Sequence, residues 1–277
     1  MVAGRGRLTS GTHTVGIKMR NKKSLGQHWL KNRAILDEIA DLAAENSVEA
    51  SASGFSDRKR VVVEIGPGLG TLTSSLLKRF DKVVAIEYDD NLAKNLPKSF
   101  PGKNLEVINV DILDFDFAKI PQPYAVAGNI PYYITSPIIE KLLKAENRPE
   151  RIVLLIQKEV AERIASEKET MLSLFVKNYA DVELGPVVGR EEFTPPPKVD
   201  SRVIILEPNE VIVKEEVFKI IKRGFAAPRK KLIHNLVGLK SKEELVRIFK
   251  ELNISIDARP GDLHLLDWQK LYNILYK

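Results

Sequence analysis

Val61-Val62-Val63-Glu64-Ile65-Gly66-Pro67-Gly68-Leu69-Gly70 is the stretch that decides the fold. Its first five positions form a short, mostly apolar, β-branched run, the pattern of a strand buried on both faces. The glycines that follow let the backbone turn tightly and pass close to a ligand. Helical spacing over residues 71–79 comes next. A strand, a turn and a helix in that order open a βαβ unit.

Outward from this stretch the alternation continues. Residues 82–86, 105–109, 124–127 and 151–156 predict further strands, and residues 91–96, 137–144 and 160–179 predict helices. Upstream, Ile35, Leu36, Ile39, Ala40 and Ala43 mark a helix over residues 32–45, and the small polar residues 46–60 form a loop. After Tyr179 the rhythm changes. Residues 181–188 and 203–206 are β-like and flank a proline-rich loop, which predicts an antiparallel hairpin closing the sheet. From Lys214 onward only helical periodicity remains. The expectation is an α/β fold: a Rossmann-like, doubly wound sheet over residues 19–208 and a small all-helical domain over 209–277. Residues 1–18, basic and without an acid, are expected to be a disordered tail.

Composition narrows the function. The 277 residues carry a net charge of +6, which favours a polyanionic partner. There is no cysteine, which excludes disulfides, a thiol nucleophile and Cys-ligated zinc, and the four scattered histidines suggest no metal site. No apolar run approaches the roughly 20 residues that span a bilayer, and no secretory signal is evident at the start. A cytoplasmic protein without a membrane partner is expected.

In doubly wound sheets ligands bind beyond the carboxyl ends of the strands, and suitable residues stand at those places. Gly66 and Gly68 lie in a G-x-G-x-G loop, not the G-x-G-x-x-G of a dinucleotide fingerprint. The loop resembles the E-x-G-x-G-x-G turn of methyltransferases, which packs on the methionine and ribose of S-adenosylmethionine. A glycine-rich turn with no ligand would look the same in isolation. Glu87, about 20 residues past the glycines, suits the ribose hydroxyls of either NAD or S-adenosylmethionine. Asp111, at the end of the third strand, suits an adenine amino group, with Ile112 against the ring.

The fourth strand delivers Gly128-Asn129-Ile130-Pro131-Tyr132-Tyr133. Methyl transfer to an exocyclic amine is hindered because the nitrogen lone pair is delocalised into the ring. The Asn129 side-chain oxygen and the Ile130 carbonyl suit the two amino hydrogens, and Tyr132 suits stacking on an extruded base. Phe193, stiffened by the prolines that follow it, is a candidate for the second face of a base sandwich. The alternative for these aromatics is a place in the core. Lys222, Arg223, Arg229, Lys230 and Lys231 form a basic cluster on the helical domain, suited to RNA phosphates or, more blandly, a solvated helix face.

Lys22-Lys23-Ser24-Leu25-Gly26-Gln27-His28-Trp29-Leu30, the Glu64–Thr73 loop, Gly128–Ile138 and Phe193–Ser201 together resemble one family, the small-subunit ribosomal RNA adenine dimethyltransferases, over nearly the whole chain. The resemblance implies S-adenosylmethionine contacts at Gln27, His28, Leu30, Gly66, Glu87, Asp111 and Asn129, with Asn129, Tyr132 and Phe193 at the reacting base. It implies a monomer acting on small-subunit rRNA in the pre-small ribosomal subunit. The target would be two adjacent adenosines in a hairpin near the 3′ end, each methylated twice, with a role in subunit biogenesis. Enzymes acting on large-subunit rRNA, DNA or protein glutamine, and a non-catalytic assembly factor, are the competing readings. His28 stands where many bacterial members have Asn; with the Lys- and Glu-rich composition it suggests an archaeal, thermophilic source.

Overall fold

A computed structural model describes residues 27–45 and 60–276. The expected tail, the start of the N-terminal motif and most of the 46–60 loop lie outside the described residues.

The strands are β1 (Trp29–Leu30), β2 (Val61–Ile65), β3 (Lys82–Glu87), β4 (Leu105–Asn109), β5 (Tyr124–Asn129), β6 (Arg151–Gln157), β7 (Ala180–Val188), β8 (Phe193–Thr194) and β9 (Ser201–Pro208). Seven of them form one sheet in the order β4-β3-β2-β5-β6-β9-β7. The first five are mutually parallel, and β9 pairs antiparallel with both β6 and β7. The expected hairpin is therefore present, with its second strand inserted inside the first.

Alternation along the strands explains why helices cover both faces. Val61, Val63 and Ile65 face one apolar core with Tyr124, Val126, Ile152 and Leu154, while Val62, Ala125, Ala127, Val153 and Leu155 face another. Helices α1 (Arg33–Ala44) and α2 (Thr71–Leu76) supply Leu36, Ile39, Leu72 and Leu76 to the second core. After α3 (Asp90–Asn95), α4 (Thr135–Lys144), α5 (Lys158–Ala165) and α6 (Met171–Tyr179) supply Ile138, Leu142, Ile164 and Val176 to the first. The long helix expected over residues 160–179 is two helices. Thr170 caps the second through a reciprocal bond with Ser173, and buried Glu169 just before it accepts from Ser173 Oγ (2.6 Å) and Lys177 Nζ (2.8 Å).

Beyond Pro208 the elements are helical: α7 (Glu215–Gly224), α8 (Leu232–Leu236), α9 (Lys242–Glu251) and α10 (Leu265–Leu275). They enclose a third core around Ile220, Leu232, Leu236, Phe249 and the fully buried Trp268, to which α6 adds Leu174. Asn178 of α6 clips the connection by exchanging two hydrogen bonds with the Val213 backbone (2.8 and 3.1 Å). Among the described residues no helix is long and apolar enough to cross a membrane.

The direction of strand order reverses between β2 and β5, so a crevice opens at their carboxyl ends. The strand-end residues of the candidate site lie along that crevice.

Candidate active site

The β2–α2 turn places Gly66, Gly68 and Gly70 in left-handed backbone, which favours glycine. Gly70 has φ +81°, and a Cβ there would lie 2.7 Å from Leu96 Cδ1 and 2.8 Å from Phe100 Cε2. It is required by packing. Gly66 has φ +66°, yet a Cβ there would meet nothing within 4 Å. Its backbone borders open space, which is a cradle for a ligand.

Two acids flank the turn. Glu87, at the end of β3, is 6% exposed and accepts from the Gly68 N–H (3.1 Å) and the Asp89 N–H (2.8 Å). Burial raises its pKa, with those two backbone donors opposing the rise. Glu64 is more enclosed still. Its Oε2 accepts from Thr73 Oγ1 (2.6 Å), and burial pushes its carboxyl up to about 8. Asp111 follows β4 and turns the chain by accepting from the Leu113 N–H (2.9 Å), while Ile112 beside it is buried.

Asn129 closes β5. Its Nδ2 donates to the His28 carbonyl (2.8 Å), so the acceptor Oδ1 is the end of the amide left for the cavity. His28 is fixed in turn, its Nδ1 bonded to the Pro195 carbonyl (2.8 Å). Tyr132 lies over His28 with ring centroids 6.2 Å apart and planes at 23°. Its hydroxyl bonds the buried Ser201 Oγ (2.7 Å), and burial raises its pKa. The two distant motifs that hold these groups are one unit, since β1 and β8 pair antiparallel with Trp29 opposite Thr194 and Leu30 opposite Phe193.

Phe193 departs from expectation. It is 1% exposed and packed in the second core with Leu30 and Val188, and it does not line the cavity. The β8 strand explains this: the pairing with Leu30 turns its side chain into the sheet's core. It supports the N-terminal segment here and offers no face to a base.

Gln27, His28, Leu30, Gly66, Gly68, Glu87, Asp111, Ile112, Asn129 and Tyr132 all line a single cavity of about 320 Å³. That size is within the range of small-molecule sites. Trp29, Tyr88, Leu113 and Tyr133, which are not among the individually expected contacts, also line it, and Ser201 anchors Tyr132. Trp29 sits 3.1 Å from where a Gly68 Cβ would be, a closeness that sequence spacing does not signal. The donor set fits S-adenosylmethionine: an enclosed carboxylate for ribose hydroxyls, a second acid with an apolar neighbour for adenine, and open glycine backbone between them. Among the described residues no group of three His, Asp or Glu side chains could hold a metal ion.

The basic cluster lies apart from the cavity. Lys222, Arg223, Arg229, Lys230 and Lys231 are all exposed at the end of α7 and in the loop before α8. Two are already engaged, Arg223 donating to the Val237 carbonyl (2.9 Å) and Lys231 pairing with Asp257.

Comparison with known proteins identifies the group to which this arrangement belongs. A family model described as ribosomal RNA adenine dimethylase matches residues 18–277. Ribosomal RNA small subunit methyltransferase A of the cyanobacterium Nostoc sp. is 38% identical, with 93% of this chain and 98% of that protein aligned. Among solved structures, a dimethyladenosine transferase from Plasmodium falciparum has a TM-score of 0.71 at 28% identity, covering 90% of this chain and 98% of its own. The 23S rRNA methyltransferase ErmE has a TM-score of 0.70 at 26% identity, covering 90% of this chain and all of its own. An archaeal source draws no support from these relatives. Strand ends, cavity and matched sequence agree: the chain belongs to the ribosomal RNA adenine dimethylase family, S-adenosylmethionine-dependent methyltransferases.

Proposed function

We propose that this protein dimethylates the N6 amines of two adjacent adenosines in a hairpin near the 3′ end of small-subunit rRNA. It acts as a cytoplasmic monomer on the pre-small subunit during its biogenesis. The observation that carries the chemistry is the Asn129 amide, whose nitrogen is committed to the His28 carbonyl and whose oxygen is left as an acceptor. The small-subunit assignment is supported by the curated relative's name and by the length over which it aligns.

When bound, S-adenosylmethionine supplies an electrophilic methyl group on a sulfonium. Glu87 and the Gly66–Gly68 backbone hold its ribose and methionine portions, Asp111 and Ile112 its adenine, and Gln27, His28 and Leu30 cover it. Asn129 Oδ1 and the Ile130 carbonyl accept the amino hydrogens of the target base. That draws the nitrogen toward tetrahedral geometry and frees its lone pair to form the N–C bond as the methyl's bond to sulfur breaks, and the proton the amine then loses passes to solvent. Tyr132 stacks on the base. Its raised pKa keeps the phenol protonated, so it serves as a surface and not as a base. Rate comes from position and oriented acceptors. With Phe193 enclosed, its part is to brace Leu30 and the segment that carries His28. The helical domain from residue 209 presents Lys222, Arg223, Arg229, Lys230 and Lys231 to RNA phosphates, which position the substrate without reading its sequence.

The test is methyl incorporation from labelled S-adenosylmethionine into unmethylated small subunits, with large subunits and bulk protein in parallel. Label in small-subunit RNA supports the proposal. Label confined to large subunits or to protein refutes it.

A further inference from the structure

A second concavity, about 460 Å³ in volume, opens beside the active-site cavity, lined by Lys158, Arg190, Lys198, Val199 and Asp200 together with α5 acids. It belongs to the same edge of the sheet. Asn129 is in register with Leu155 of β6, and Lys158 lies three residues further on, about 10 Å at strand spacing. Gln157 is in register with Ser201, the residue that holds the Tyr132 hydroxyl. The Lys158 N–H donates to the Asp200 carbonyl (3.0 Å), and the Arg190 N–H to Asp200 Oδ1 (3.2 Å). These bonds hold the three cation-bearing segments in one frame next to the catalytic tyrosine.

Three cations and three acids line the groove, but the two acids of α5, Glu159 and Glu162, are paired with arginines that do not line it. Glu162 is taken by Arg202 (3.0 Å) and Glu159 by Arg163. Asp200 spends one carboxylate oxygen on a backbone donor. Among the described residues, Lys158, Arg190 and Lys198 have no ion-pair partner, and Arg190 and Lys198 are exposed. Three cations on a framed groove, with exposed Val199 among them, suit a ribose–phosphate chain passing over an apolar contact.

We propose that Lys158, Arg190 and Lys198 form a phosphate anchor for the RNA strand immediately flanking the target adenosine. It fixes that strand where the base enters the cavity by Tyr132. This rests on the reading of the protein as an RNA adenine methyltransferase, and is separate from the basic cluster of the helical domain. The anchor acts by positioning, so its loss is felt in RNA affinity and KM and leaves the cofactor site intact.

The experiment uses the full chain with the substitutions Lys158→Gln, Arg190→Gln and Lys198→Gln combined. RNA from unmethylated small subunits is titrated from low to moderate salt, with S-adenosylhomocysteine binding measured on the same preparations. Loss of two or three phosphate contacts should weaken RNA binding at least about tenfold at low salt and flatten the log–log salt slope by roughly 0.7 per contact. S-adenosylhomocysteine binding should be unchanged. The charge-preserving combination Lys158→Arg, Arg190→Lys and Lys198→Arg should restore most of the affinity. Unchanged affinity and slope in the Gln variant overturn the proposal, as does a loss that the charge-preserving variant shares. Failure of the parent reading looks different, since the unmodified protein would then neither bind nor methylate the RNA.

Discussion

Replacing Asn129 by Ala removes two interactions of different kinds, and their sizes can be separated. The acceptor Oδ1 acts on the amine as the nitrogen changes geometry. Removing one preorganised partner of that kind costs about 10²–10³ in kcat, roughly 3–4 kcal/mol. The donor Nδ2 holds the His28 carbonyl at 2.8 Å. A half-buried carbonyl left unpaired costs about 1–3 kcal/mol, felt in the order of the N-terminal segment. Asn129→Asp distinguishes the two, because it keeps acceptor oxygens but sets a carboxylate against the same carbonyl. The assay is single-turnover methyl transfer to small subunits, with S-adenosylhomocysteine binding measured in parallel. Asn129→Ala should lose turnover by the larger factor and cofactor affinity by no more than about tenfold. Asn129→Asp should lower the melting temperature more than Ala does. Turnover of Asn129→Ala within about threefold of the unmodified protein would refute the reasoning, as would a loss carried wholly by cofactor binding.

The two glycines of the β2–α2 turn should fail differently. Gly70→Ala combines left-handed strain with overpacking against Leu96 and Phe100, about 2–5 kcal/mol in all, read as a fall in melting temperature. Gly66→Ala pays only the strain, about 1–2 kcal/mol, and places its methyl in the ligand cradle, so calorimetry should show weakened cofactor binding at nearly normal stability. Glu64, with its carboxyl pushed up to about 8, holds a proton in the folded state that the unfolded chain has already released above the ordinary carboxylate pKa of 4.5. Stability should therefore fall as pH rises from about 4.5 to 8, by an amount on the order of several kcal/mol. Glu64→Gln should flatten that decline in denaturant titrations; an unchanged pH profile would show that Glu64 is ionised throughout. Tyr132→Ala should abolish methyl transfer while cofactor binding persists, and Tyr132→Phe should retain most of the transfer. Charge reversal at Lys222, Arg229 and Lys230 should weaken RNA binding in filter assays and flatten its salt dependence.

The sheet was legible because its strands are short apolar runs punctuated by Gly, Pro and Asp, and because each functional group stands where a strand ends. Local signals served less well where tertiary contact decides. β5 runs on to Asn129, two residues past the apolar run, because Gly128 lets it lie flat against Ile65, whose carbonyl would be 2.9 Å from a Cβ. The division between α5 and α6 turns on Glu169, a buried acid satisfied by Ser173, Lys177 and His264. Its presence in the run gave a helical pattern no reason to stop. In the site, the strand-end acids and Asn129 could be picked out singly. Their mutual restraint could not, since the Asn129–His28 bond spans 101 residues and the His28–Pro195 bond 167. Phe193 shows the cost of reading an aromatic beside prolines without its partner strand. Pairing with β1 places the ring in the core.

Nucleoside analysis of small-subunit RNA after exhaustive reaction with labelled S-adenosylmethionine tests the central claim most directly. The predicted product is N6,N6-dimethyladenosine, with label in two adjacent residues of one hairpin and no accumulation of other methylated bases. Label at any other nucleoside, or adenosine that stops at one methyl group under saturating cofactor, would contradict it.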